Sequence, residues 1–87
     1  MKMMLVDDEE SFVDAMGKRL DVRNVQVITA LSGEEALTKL GQNRNVDVVV
    51  LDVKMPDLDG IEATRTIKST YPLVEVILLT GHANMEA

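Results

Sequence analysis

Cysteine is absent from the 87-residue sequence, which excludes a disulfide framework and any thiolate metal site and is compatible with a reducing cytoplasm. Aromatic rings are nearly absent too: Phe12 and Tyr71 are the whole complement, so the core has to be aliphatic. Basic residues are outnumbered, 9 against 15 acidic, and a net charge of -6 argues against binding nucleic acid or an anionic membrane, since both require a cationic face. Cations and positively charged partners are favoured. Long apolar runs are missing as well. Met3-Met4-Leu5-Val6 is too short for a signal-peptide core, and no run approaches the roughly 20 residues of a transmembrane helix. A chain this short makes one domain at most, burying only about 60 to 65% of the surface its unfolded form exposes.

What is present alternates strand and helix. Met3 to Val6 reads as a short buried strand, and Phe12, Val13, Met16 and Leu20 then recur at helical spacing. Val25 to Ala30 is β-branched and predicts a second strand. Ser32-Gly33-Glu34-Glu35 has the form of a capping box, opening a helix that carries Ala36, Leu37 and Leu40 and stops near Gly41 or Asn43. Val46 to Leu51 is apolar nearly throughout, as a central parallel strand covered on both faces should be. Met55 to Gly60 is dense in turn residues and precedes a third helix with Ile61, Thr64, Ile67 and Lys68 on one face; Pro72 bars its continuation. Val74 to Leu79 is a fourth strand, ending in Thr80-Gly81. Such alternation with short connections implies β-α-β crossovers and a parallel α/β sheet.

The first strand runs out in Asp7-Asp8 and the third in Asp52. If these strands are neighbours, three carboxylates converge at the carboxyl edge of the sheet, where open α/β sheets place their ligands. An aspartate there can attack a phosphoryl group and form an acyl phosphate, provided something offsets the repulsion between the two anions. Mg²⁺ suits the task because it takes oxygen ligands, typically one or two carboxylates together with phosphate oxygens. Each piece alone has a plainer explanation. An Asp-Asp pair before a helix is commonly a solvated turn or cap, and a threonine ending a strand is simply a β-branched residue.

Taken together, Leu5-Val6-Asp7-Asp8-Glu9-Glu10, Leu51-Asp52-Val53-Lys54-Met55-Pro56-Asp57-Leu58-Asp59-Gly60 and Leu78-Leu79-Thr80-Gly81 resemble the receiver domain of two-component response regulators. The resemblance implies a flavodoxin-like parallel sheet and a phosphoacceptor that assists its own phosphoryl transfer and dephosphorylation without being an enzyme. In that case Asp52 accepts the phosphoryl group, with a sensor histidine kinase or phosphotransfer protein as donor. It further implies Mg²⁺ bound directly by Asp8, through water by Asp7, by the Asp52 carboxylate and by the Lys54 main-chain carbonyl. Thr80 is the residue whose hydroxyl bonds a phosphoryl oxygen and draws the following loop inward. Lys54 and His82, each two residues beyond a site residue, are candidates for setting the lifetime of the acyl phosphate or are simply solvated.

The family pattern continues through a fourth helix, a fifth strand ending in a lysine, and a fifth helix, none of which can be drawn from Asn84-Met85-Glu86-Ala87. Residues 1–87 are therefore expected to form a receiver domain truncated after the fourth strand. Its strand order would be 2-1-3-4, leaving the fourth strand as an apolar edge through which two copies can pair. The alternative is a receiver-like interaction module that is not phosphorylated. Three other readings fail on particular residues. A haloacid-dehalogenase-type hydrolase needs a second aspartate where Lys54 stands, and a calcium loop registered on Gly60 puts Met55 and Thr66 where acids are required. Four acids after the first strand would repel a dinucleotide pyrophosphate.

Overall fold

The computed structural model describes residues 1–52 and 60–79. Within them strand and helix alternate: β1 (Lys2–Val6), α1 (Glu10–Val22), β2 (Gln26–Ala30), α2 (Gly33–Gln42), β3 (Val48–Asp52), α3 (Gly60–Thr70) and β4 (Glu75–Leu79). All pairings are parallel and the strand order is β2-β1-β3-β4, the α/β order expected from the sequence. No helix among the described residues is long and apolar enough to cross a membrane.

Register follows from hydrophobic alternation. Ile28, Met4, Val49 and Val76 form one row across the sheet, and Ala30, Val6, Leu51 and Leu78 form the next. Ala36 and Leu40 of α2 and Ala63 and Ile67 of α3 close over these rows, giving one aliphatic cluster with Tyr71 at its margin. Helix α1 lies against β2 on the other face, where Gly17 comes close enough that an added Cβ would meet Val27 Cγ1 at 3.9 Å. A slip of one residue in β1 or β3 would turn these apolar rows to the wrong face.

Local chemistry fixes the junctions. Ser32 Oγ accepts from the Glu35 N–H at 3.0 Å, as the capping box predicts. The reciprocal bond is shifted by one residue: Glu35 Oε1 accepts from the Leu31 N–H rather than from that of Ser32. That bond, with Lys39 beside it, holds the Glu35 carboxyl below its ordinary value. Lys39 also donates to the Thr29 carbonyl at 2.6 Å, so α2 grips the end of β2 at two points. Asn24, at φ 66°, takes the left-handed conformation that ends α1.

Two expectations need correction. Gly41 lies inside α2, which runs on to Gln42 with Asn43 as its C-cap. In α3 the buried face is Gly60, Ala63 and Ile67, while Ile61 is 65% exposed. The first turn of that helix buries Gly60 and Ala63, the latter within the aliphatic cluster, and leaves the larger isoleucine exposed. Lys68 is only half-buried, and its ammonium group bonds the carbonyls of Val74 and Pro72 at 2.8 and 3.2 Å, tying the end of α3 to the turn before β4.

Candidate functional site

Pairing of β1 with β3 brings two strand ends side by side at the carboxyl edge of the sheet. Asp52 is the last residue of β3 rather than the first beyond it, and it is nearly enclosed at 5% exposure. Asp7 directly follows β1 and is buried at 2%, whereas Asp8 is exposed. One carboxylate oxygen from each of the three can be chosen so that all lie within 4.8 Å of one another. The convergence expected from the sequence is therefore present. Lys54, Thr80 and His82 lie outside the described residues.

The acids are held by the fold rather than by chance contact. The Asp7 N–H donates to the Ala30 carbonyl at 3.1 Å, extending the β1–β2 ladder by one step. The Asp7 side chain is fixed from the other direction, with Oδ1 accepting from the Glu9 N–H at 3.0 Å. This Asx turn carries the chain from β1 toward α1. Sequence reasoning did not single out Glu9, although an aspartate two residues before a helix N-cap is the pattern that signals such a turn. Asp52 inherits its position from β3, whose Val49 and Leu51 are fully buried beneath α2 and α3.

Three carboxylates with at least two of them shielded from water form an all-oxygen, strongly anionic donor set. It matches a hard divalent cation: oxygen ligands suit Mg²⁺ or Ca²⁺ and disfavour the softer metals that take thiolate or imidazole. The exposed Asp8 keeps one side of the cluster open to solvent.

A family model for the response regulator receiver domain matches residues 3–87. Among curated proteins, the alkaline phosphatase synthesis transcriptional regulatory protein PhoP of Bacillus subtilis is 40% identical over 80 residues, covering 92% of this chain and 33% of PhoP. The chain thus spans about a third of that relative's length, 33%. Among solved structures, a response regulator receiver domain protein from Clostridium thermocellum aligns with a TM-score of 0.84 and 35% identity, covering 95% of this chain and 68% of that one. The response regulator TrrA from Thermotoga maritima, solved in complex with Mg²⁺ and BeF, aligns at 0.81 with 29% identity, covering 95% of this chain and 74% of that one.

Proposed function

The chain belongs to the response regulator receiver domain family, and from that premise we propose that it accepts a phosphoryl group on Asp52 from the phosphohistidine of a sensor histidine kinase or phosphotransfer protein. The observation that carries this reading is the gathering of Asp7, Asp8 and Asp52 within 4.8 Å at the ends of adjacent strands. Asp8, Asp7 and Asp52 would hold Mg²⁺, and the family resemblance adds the main-chain carbonyl of Lys54 as a further ligand. When bound, the cation offsets the charge of the incoming phosphoryl group. Asp52 then forms a bond from one carboxylate oxygen to phosphorus as the phosphorus–nitrogen bond of the donor breaks, its electron pair staying on the imidazole nitrogen. Burial of Asp52 and Asp7 limits access of competing water, and the open side at Asp8 admits the donor. Thr80, which follows β4, is assigned the hydroxyl that bonds the transferred group. The chain acts as a phosphoacceptor assisting its own transfer and dephosphorylation rather than as an enzyme, and the cysteine-free composition fits a cytoplasmic setting.

Incubation with acetyl phosphate and Mg²⁺, followed by intact-mass analysis, is expected to show one phosphoryl adduct, stable in acid and labile in base. Absence of the adduct in wild type would instead favour an interaction module that is not phosphorylated.

A homodimer is part of the same proposal. β4 is an edge of the described sheet, with Ile77 50% and Leu78 38% exposed. The two residues lie on opposite faces of the strand, so pairing edge to edge covers apolar surface on both sides. Light scattering at rising concentration is expected to give a mass approaching twice that of the chain, and an Ile77→Lys variant is expected to stay at the monomer mass. A wild type that remains monomeric throughout rejects the dimer.

A further inference from the structure

Three residues, Asp7, Asp8 and Glu9, join β1 to α1, and the main chain of Glu9 has two tasks. Its N–H donates to Asp7 Oδ1 at 3.0 Å. Its carbonyl accepts from the Phe12 and Val13 N–H groups at 3.1 and 3.2 Å, which starts α1. Glu9 is the N-cap of that helix at φ -89° and ψ 99°, yet its side chain makes no capping bond. The connection is therefore made by the peptide and not by the glutamate carboxylate.

We propose that the main-chain N–H of Glu9 is a positioning group of the divalent-cation site, orienting the Asp7 carboxylate and linking cation occupancy to order in the first turn of α1. This rests on the cation site proposed above. Asp7 is 2% exposed, so water has little part in orienting its carboxylate, and the Glu9 N–H on Oδ1 restricts rotation about the Cβ–Cγ bond. The same donor offsets part of the repulsion that Asp7 meets from Asp8 and Asp52. Groups that hydrogen-bond a metal's ligands typically contribute 10- to 100-fold in affinity. Because the Asp7 backbone is locked to β2, a swing of its carboxylate must be met by rotation of the Glu9 segment, whose carbonyl begins the helix. Fixing the carboxylate thus fixes the helix start.

The test replaces single amides by esters in the semisynthetic full chain, deleting one N–H and leaving the side chain intact. Mg²⁺ is the titrant, followed by calorimetry. The ester at Glu9 is expected to weaken Mg²⁺ binding by roughly ten-fold or more. An ester at Phe12, which removes a helix-start bond without touching Asp7, is expected to leave the affinity near wild type. In the unmodified chain, Mg²⁺ is expected to slow hydrogen exchange at the Glu9, Phe12 and Val13 amides while leaving the Asn43 amide at the far end of α2 unchanged. This second measurement decides the matter if the Glu9 ester does not fold. Wild-type affinity in the Glu9 ester, equal losses in both esters, or unchanged exchange at Glu9 overturns the proposal. No Mg²⁺ binding by wild type overturns the cation site itself, a separate and recognisable failure.

Discussion

Asp52→Asn is expected to gain no adduct from acetyl phosphate and Mg²⁺ under conditions that load the wild type, and to melt at a higher temperature when Mg²⁺ is left out. Both effects come from the same carboxylate. The amide has no anionic oxygen to attack phosphorus, so the covalent step is lost rather than slowed. As to stability, two unit charges 4.8 Å apart repel by about 3.5 kcal/mol at an effective dielectric constant of 20, and by about 1 kcal/mol in water. Asp8 is exposed while Asp7 and Asp52 are buried, so the cluster lies between these limits. Neutralising Asp52 is thus expected to stabilise the cation-free chain by about 1–2 kcal/mol, which corresponds to roughly 5–15 °C in a domain of this size. Mg²⁺ should narrow the gap. At ten times its dissociation constant a cation adds about 1.4 kcal/mol to the wild type, and the variant, short of one ligand, gains less. Thermal melts at low salt with and without 10 mM Mg²⁺ check the narrowing. A variant less stable than wild type without Mg²⁺ would mean that the interactions of Asp52 outweigh the repulsion, and an adduct retained in the variant would place the acceptor elsewhere.

The site was legible in the sequence from where its acids fall along the chain. Asp7-Asp8 and Asp52 stand where two apolar strands end, and neighbouring parallel strands bring those ends to one edge of the sheet. β3 was equally plain, because Val48 to Leu51, buried or half-buried on both faces, form an unbroken apolar run. Helix faces were harder to read. Ile61 looked like a core residue by type, but the start of α3 buries Gly60 and Ala63 instead, and which way a helix face turns at its first turn is not visible in hydrophobic spacing. Gly41 looked like a stop by propensity, yet one glycine costs an α-helix only about 1 kcal/mol relative to alanine, less than the packing of Leu40 returns. Lys68 was counted with an apolar face because its position matched, while its actual task, bonding two turn carbonyls, depends on where Pro72 and Val74 fall in space. The contribution of Glu9 is made by a main-chain group that every residue except proline carries, so the identity of the side chain gives no sign of it. Lys54 and Thr80 were read from the motif and lie outside the described residues.

Leu51→Ala is expected to destabilise the chain by about 3–5 kcal/mol, the upper part of the range for removing a buried leucine side chain. Leu51 is fully buried, sits between Val6 and Leu78 in its cross-sheet row, and belongs to the cluster closed by α2 and α3. Its surroundings cannot readily fill the space it leaves. Ala30, Ala36 and Ala63 in the same cluster have no torsions with which to swing inward, and the β-branched Val6 and Val49 are stiff at χ1. A cavity should therefore persist, and its cost adds to the lost transfer energy. For 87 residues the total stability is about 4–13 kcal/mol, so this one substitution removes a large share and can leave the chain partly unfolded at 25 °C. Leu73→Ala provides the contrast: the side chain is 94% exposed and the change should stay within about 0.5 kcal/mol. Urea titration of both variants measures the difference, with unchanged slopes indicating that the native state and not the denatured one was affected. Mg²⁺ should recover part of the loss, since a cation that binds only the folded chain pulls the equilibrium back whatever the cause of the destabilisation. A Leu51→Ala loss below about 1 kcal/mol would mean that the core repacks around the gap, and that Asp52, one residue further along β3, is held less rigidly than its burial implies.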